Sequence, residues 1–386
     1  MADSPTTEVR DPSVVVPDAA HERPHKKLRW RIAQIAFSVA ITVGIFVYAI
    51  PKLADYSAAW HAVTRMSPLK LAVLVGAMVF NLVTYWWQNM ASMPGLRFFQ
   101  AAVNNQTTTS VADTVPGGGY LAVGVGYGMY HSWGFSNSAI ALSALVTGIW
   151  NILMKLGLPV IALALLAVTG FANASLVVAS LVGLAILIGA VVLLAMVLWK
   201  KELARKIGTG LGRVASAIRK LFRKPPVNDW GEAAVRFRHE TIELVARRWP
   251  QLTITTIVSH LALYVVLLLS LRFVGVSEQE VSWAQVLGVF AFGRLLTALP
   301  ITPGGLGLVE LSYIGGLILA GRGHTDVPPD VFRAQVAGAV LLFRALTYGV
   351  QIPLGAFAYL IYRAKSSWRR PPDSIRAERG ARPVAG

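Results

Sequence analysis

The 386 residues contain no cysteine, which excludes disulfides, thiolate nucleophiles and zinc–thiolate sites. Charge is scarce too. Asp, Glu, Lys and Arg make up 14% of the chain against 55% hydrophobic residues, and mean hydropathy is +0.55. A soluble domain has more polar surface than that composition supplies, whereas a polytopic membrane protein matches it. Acidic residues are the rarer sign, 19 against 36 Lys and Arg, for a formal net charge of +17. No Gly-x-x-x-x-Gly-Lys-Ser/Thr loop occurs. Neither a metal, a cofactor nor P-loop nucleotide hydrolysis is expected, and with no synthase motif the chain does not read as an enzyme.

What charge there is sits in four places: 23–31, 200–224, 236–248 and 363–382. These basic runs flank apolar stretches instead of lining one soluble face, which argues against nucleic acid and for positive-inside topology. Residues 1–28 and 366–386 read as disordered cytoplasmic tails. The first apolar run begins near Ile32, after a polar leader without a small-residue cleavage site, so no cleavable signal peptide is expected. Between the tails lies a membrane domain, 29–365. It divides into a first half (29–199), a basic amphipathic cytoplasmic loop (200–248) and a second half (249–365). Within the loop Leu203, Ile207, Leu211, Val214, Ile218 and Leu221 share one helical face, as in an interfacial helix.

Apolar runs at 32–50, 68–90, 137–170, 174–199, 250–275 and 330–362 suit a hydrocarbon core of ~30 Å, which takes ~20 helical residues to cross. Two further apolar segments, 97–134 and 283–320, are interrupted by "TVPGGG" and "ITPGGL". Their arms are too short for two comfortable spans each, so both are expected to be re-entrant helical hairpins. Proline ends a helix and glycine then permits a left-handed backbone, so Pro116, Gly117, Gly118 and Gly119 mark one break. Pro303, Gly304, Gly305 and Gly307 mark the other. The elements around the two breaks correspond in order, including a proline late in each following span, Pro159 and Pro353. With both termini inside, one hairpin enters from the cytoplasm and the other from outside. The expected fold class is an all-α polytopic membrane protein, about six transmembrane helices plus two re-entrant hairpins in an inverted repeat.

Of the acidic residues, only Asp113 and Glu310 fall inside membrane elements, each beside a break. The basic residues there are Lys155, Arg294 and Arg344. Each costs ~3 kcal/mol at the bilayer centre, so each needs a partner or a function. Two readings stand: a structural ion pair of Glu310 with Arg294 or Arg344, or a hydrophilic pathway for a polar headgroup that includes all five residues. The polar run Asn104, Asn105, Gln106, Thr107, Thr108, Thr109 and Ser110 leads into the first break and suits a water-filled groove. A half-helix starting at Gly305 would offer free N–H donors to an anionic group.

"TVPGGGYLAVGVGYG", "LPITPGGLGLVE" and Arg344 in the following span resemble the lysylphosphatidylglycerol synthase transmembrane (flippase-like) family of prokaryotic integral membrane proteins, over roughly residues 30–365. Pro303, Gly304, Gly305, Gly307 and Glu310 match the family's second motif. In many members an arginine follows the first Pro-Gly turn, where this chain has Gly124, Gly126, Tyr127 and Gly128. The resemblance implies a bacterial plasma-membrane protein, and the basic clusters imply that both termini are cytoplasmic. It also implies movement of a polar-headed lipid across the bilayer, an anionic or glycosylated phospholipid or a polyprenyl lipid. Members that also synthesise the lipid carry a soluble aminoacyltransferase domain, and no polar stretch here is long enough for one. Two other functions stay open: an embedded enzyme acting on polyprenyl-phosphate-linked sugars, whose outer loop 51–67 offers only Asp55, and a non-catalytic scaffold for a separate lipid synthase.

Overall fold

A computed structural model describes residues 55–114, 118–170, 174–202, 230–297, 302–323 and 327–368, with Val47 and a few single positions between 205 and 216. Among the described residues every regular element is helical. The first half contains α1 (Tyr56–Thr64), α2 (Pro68–Ser92), α3 (Phe98–Thr114), α4 (Gly118–Ser132), α5 (Asn137–Val168) and α6 (Ala174–Trp199). The second contains α7 (Trp230–Val274), α8 (Trp283–Leu296), a 3₁₀ turn Pro303–Gly305, α9 (Leu308–Ala320), α10 (Pro329–Arg344) and α11 (Gln351–Ala364).

The helices start where the sequence supplies caps. Ser67 accepts the Lys70 N–H ahead of Pro68, Ser136 accepts that of Ala139, and Ser282 forms a capping box with Gln285. Four helical stretches are long and apolar enough to cross a membrane: Pro68–Ser92, Asn137–Val168, Phe237–Val274 and Pro329–Ala364. Within α6, Leu181–Leu193 is a shorter apolar stretch, as are α8 and α9. The protein is a multi-pass helical membrane protein. The run at 32–50 and most of the amphipathic face at 203–221 lie outside the described residues. The basic residues 236–248 belong to the same helix as the apolar run that follows. That helix, α7, has 45 residues and is about 68 Å long, twice what a bilayer core needs.

Pro353 leaves its mark one turn early. It has no N–H for the Gly349 carbonyl and crowds that oxygen. The helix accommodates it with a π turn over Ala345–Gly349, in which the Val350 N–H donates to the Ala345 carbonyl at 2.9 Å. Pro159 is taken up inside α5 without a break.

α2 and α7 form the central pair, and they run antiparallel. Asn81 donates to the Ser259 carbonyl at 2.9 Å, Gln88 to the Thr256 hydroxyl at 2.7 Å, and Lys70 lies over the Phe273 ring. The C-terminal end of α2 and that of α7 are thus at opposite ends of the bundle. α3 and α4 pack together and open at the α2 end, where Met93, Leu96, Tyr130 and Trp133 share a cluster. α8 and α9 open at the α7 end, where Gln285 donates to the Ala320 carbonyl at 3.2 Å and Arg272 binds the carbonyls of Val276, Ser277 and Val281. α3 rests on α11, and α8 rests on α5. The main core, with Leu74, Leu267, Phe290, Ile314 and Val340, is shared by α2, α7, α8, α9 and α10.

The polar run of α3 does not line an open groove. Asn104, Gln106 and Thr107 are buried. Asn104 donates to the Gly126 carbonyl at 3.3 Å and Ser110 to the Ile352 carbonyl at 2.9 Å. At Gly355 of α11 a Cβ would collide with the Gln106 carbonyl and Ser110. Polar side chains in a bilayer protein can be satisfied by neighbouring backbone, and α4 and α11 provide it for Asn104 and Ser110, whereas the Gln106 amide and the Thr107 hydroxyl are buried without a hydrogen bond among the described residues.

Candidate functional site

The second break is built from glycine conformation. Gly304, Gly305 and Gly307 have φ of 55, 72 and 86°, in the left-handed region where a helix cannot propagate and other residues are strained. The half-helix therefore begins at Leu308, not at Gly305. Its N-terminal end is already occupied by an anion from the chain. Glu310, third residue of α9, reaches back so that its Oε2 accepts the Gly307 N–H at 2.6 Å. This is the reciprocal half of a capping box, and it also satisfies the helix dipole.

The other carboxylate oxygen holds Arg344. Its Nε donates to Glu310 Oε1 at 2.5 Å, with Glu310 only 1% exposed and the arginine side chain 13%. Nη2 donates to the Gly304 carbonyl at 3.3 Å, and the guanidinium lies over the Tyr348 ring, 4.6 Å from its centre. Among the described residues no hydrogen bond is formed by Nη1. Glu310 thus fixes the arginine with one edge still available.

Tyr348 joins this centre to the first hairpin. Its hydroxyl donates to the Asp113 carbonyl oxygen at 2.5 Å, at the inner end of α3. A Cβ on Gly304 would strike the Tyr348 ring and Asp113 Oδ1, so only glycine lets the two breaks approach this closely. Arg344 is near enough to act electrostatically on Asp113. Pro116 and Gly117 lie outside the described residues. Gly118 opens α4 where a Cβ would meet the Val111 and Ala112 carbonyls, while Gly119 faces open space.

The structure thus brings together Asp113, Gly304, Gly307, Glu310 and Arg344. Lys155 and Arg294 sit elsewhere, within range of each other's charge. Buried Tyr313 is within electrostatic reach of Arg294, Arg344 and Glu310. Tyr348 was the residue the sequence reading missed; its signal is the spacing of four from Arg344, one turn on the same helix. Asp55, the one carboxylate of the segment 51–67, caps α1 by accepting the Ala58 N–H at 2.8 Å. That bond holds its carboxyl below the ordinary aspartate value and makes it a weaker base.

A family model described as the lysylphosphatidylglycerol synthase TM region matches residues 35–355. The chain belongs to that family. The lysylphosphatidylglycerol synthase TM region thus takes in both hairpins, the Glu310–Arg344 pair and Tyr348, and it marks the chain as a membrane protein related to lipid handling. Comparison with curated proteins gives no match.

Proposed function

We propose that the protein is a lipid translocase of the bacterial plasma membrane. A polar headgroup would pass where the two hairpin tips meet, while its hydrocarbon chains stay in the bilayer. The observation that carries this reading is Arg344: an arginine clamped by Glu310 at the junction of two helix breaks, with Nη1 making no hydrogen bond among the described residues. Arginine meets phosphate with two parallel N–H donors, and a buried, pre-oriented guanidinium recognises a lipid phosphate without reorganising. Glu310 acts through Arg344 in this scheme, because both its oxygens already accept bonds from the chain.

The opposed opening of the α3–α4 and α8–α9 pairs supports an inverted repeat of re-entrant hairpins. The mutual correspondence of the α3–α11 and α8–α5 contacts supports it further. Sites in such repeats lie near mid-membrane where the broken helices meet. The basic runs favour a cytoplasmic side for both termini and the 200–248 region.

The test is lipid flipping in liposomes. Purified protein should accelerate the inward and outward movement of fluorescent phosphatidylglycerol, and Arg344→Ala should reduce the rate to that of empty liposomes. Rates equal to empty liposomes for anionic, aminoacylated and polyprenyl lipids alike would rule out the translocase reading.

A further inference from the structure

A second charged centre stands apart from the Glu310–Arg344 pair and has no counter-ion among the described residues. Helix register locates it. α5 and α7 run parallel, since Ser138 bonds Glu240 and Trp150 donates to Thr253 at 3.0 Å. Carrying that register onward brings Lys155 to the level of His260. α8 runs antiparallel to α5: Gly288 faces Leu166, while Phe292 and Leu295 share a cavity with Leu156, Pro159 and Leu163. This brings Arg294 to the same level. The three groups act on one another electrostatically.

None of the three has an ion-pair partner among the described residues. Arg294 Nε is buried without a hydrogen bond. His260 is 0% exposed; its Nδ1 donates to the Thr256 carbonyl at 3.0 Å, and its Nε2 is buried without a partner. Arginine cannot shed its proton, and like charges in a low-dielectric setting repel strongly. The arrangement lacks an anion. Beside it, between α5, α6 and α8, lies an apolar cavity of about 120 Å³, lined by Leu156, Pro159, Leu163, Gly183, Ile186 and Phe292 among others. Pro159 is one helical turn beyond Lys155.

We propose that Lys155, Arg294 and His260 bind the phosphate group of an amphiphile whose hydrocarbon enters the cavity between α5, α6 and α8. Lys155 and Arg294 donate to the phosphate oxygens. His260 Nε2 accepts a neighbouring hydroxyl of the ligand or, once protonated, becomes a third donor. The site deepens the translocase reading by giving the lipid a resting place near the hairpin junction, since Tyr313 is within electrostatic reach of Arg294, Arg344 and Glu310 alike.

Binding is measured on the full chain in uncharged detergent, by native mass spectrometry and thermal melting. The probes are phosphatidylglycerol, diacylglycerol with the same chains, and inorganic phosphate. Phosphatidylglycerol should be retained at least about ten-fold more tightly than diacylglycerol, and K155Q/R294Q should erase that preference, as expected for loss of charge-assisted bonds. K155R/R294K should keep most of it. Single K155Q, which leaves Arg294 in place, should weaken retention at least about three-fold and covers the case in which the double variant fails to fold. Equal retention of the two lipids, or an unchanged preference in K155Q, overturns the proposal. Inorganic phosphate that displaces phosphatidylglycerol and binds as tightly would assign the site to a free anion and overturn the lipid source. The experiment needs no second leaflet, so it stands or fails separately from the flipping assay.

Discussion

The two hairpins solve one problem in different ways. Each carries polar groups inside an apolar bundle, where they cost free energy unless paired. The α3–α4 pair uses neutral side chains on backbone: Asn104 on the Gly126 carbonyl and Ser110 on that of Ile352. The α8–α9 pair is almost wholly apolar and relies on one carboxylate, Glu310, that serves a helix N-terminus and an arginine together. The first hairpin is tied to its neighbours by neutral hydrogen bonds, the second by charged ones. Charge is therefore concentrated at the second tip, and that is where an anionic ligand has something to recognise.

Substitutions should expose the contrast. The largest effect is expected at the second tip. Glu310→Ala leaves Arg344 buried without its anion and the Gly307 N–H without its acceptor, a loss of about 3–5 kcal/mol by analogy with broken buried pairs. Denaturant or thermal melting in micelles measures it, and Glu310→Gln, which keeps an acceptor for Gly307, should lose less. Gly304→Val comes next. A branched side chain at φ 55° collides with Tyr348 and Asp113, so about 2–3 kcal/mol of strain is expected, together with loss of flipping.

The first hairpin should respond more mildly. Gly355→Leu wedges α11 from α3 and should cost about 1–3 kcal/mol, as overpacking does. Ser110→Ala removes one bond to the Ile352 carbonyl and should cost only about 0.6 kcal/mol, typical of interhelical hydrogen bonds in membranes. If Ser110→Ala proved as damaging as Glu310→Ala, the contrast between neutral bonds and a charged clamp would be wrong.

Much of this was legible in the sequence for physical reasons. Long apolar runs can only be helices in lipid, Pro-Gly-Gly can only interrupt them, and a lone glutamate beyond a break needs a cation. Glu310 and Arg344 could be singled out because charge is so costly there. What periodicity could not supply was distance across the bundle. The close packing of Gln106 and Ser110 depends on Gly355, far away in sequence, standing aside. The π turn that sets Tyr348 against Arg344 depends on how one helix accommodates Pro353. His260 reads as a lone histidine until the registers of α5, α7 and α8 bring it level with Lys155 and Arg294.

The central claim is that the two breaks approach each other from opposite sides of the membrane, and the absence of cysteine makes it directly testable. Single cysteines at exposed positions 94, between α2 and α3, and 279, between α7 and α8, can be labelled with an impermeant maleimide in intact and opened cells. Pro94→Cys should react only after opening, and Gln279→Cys should react in intact cells. Labelling of both from the same side would contradict the account.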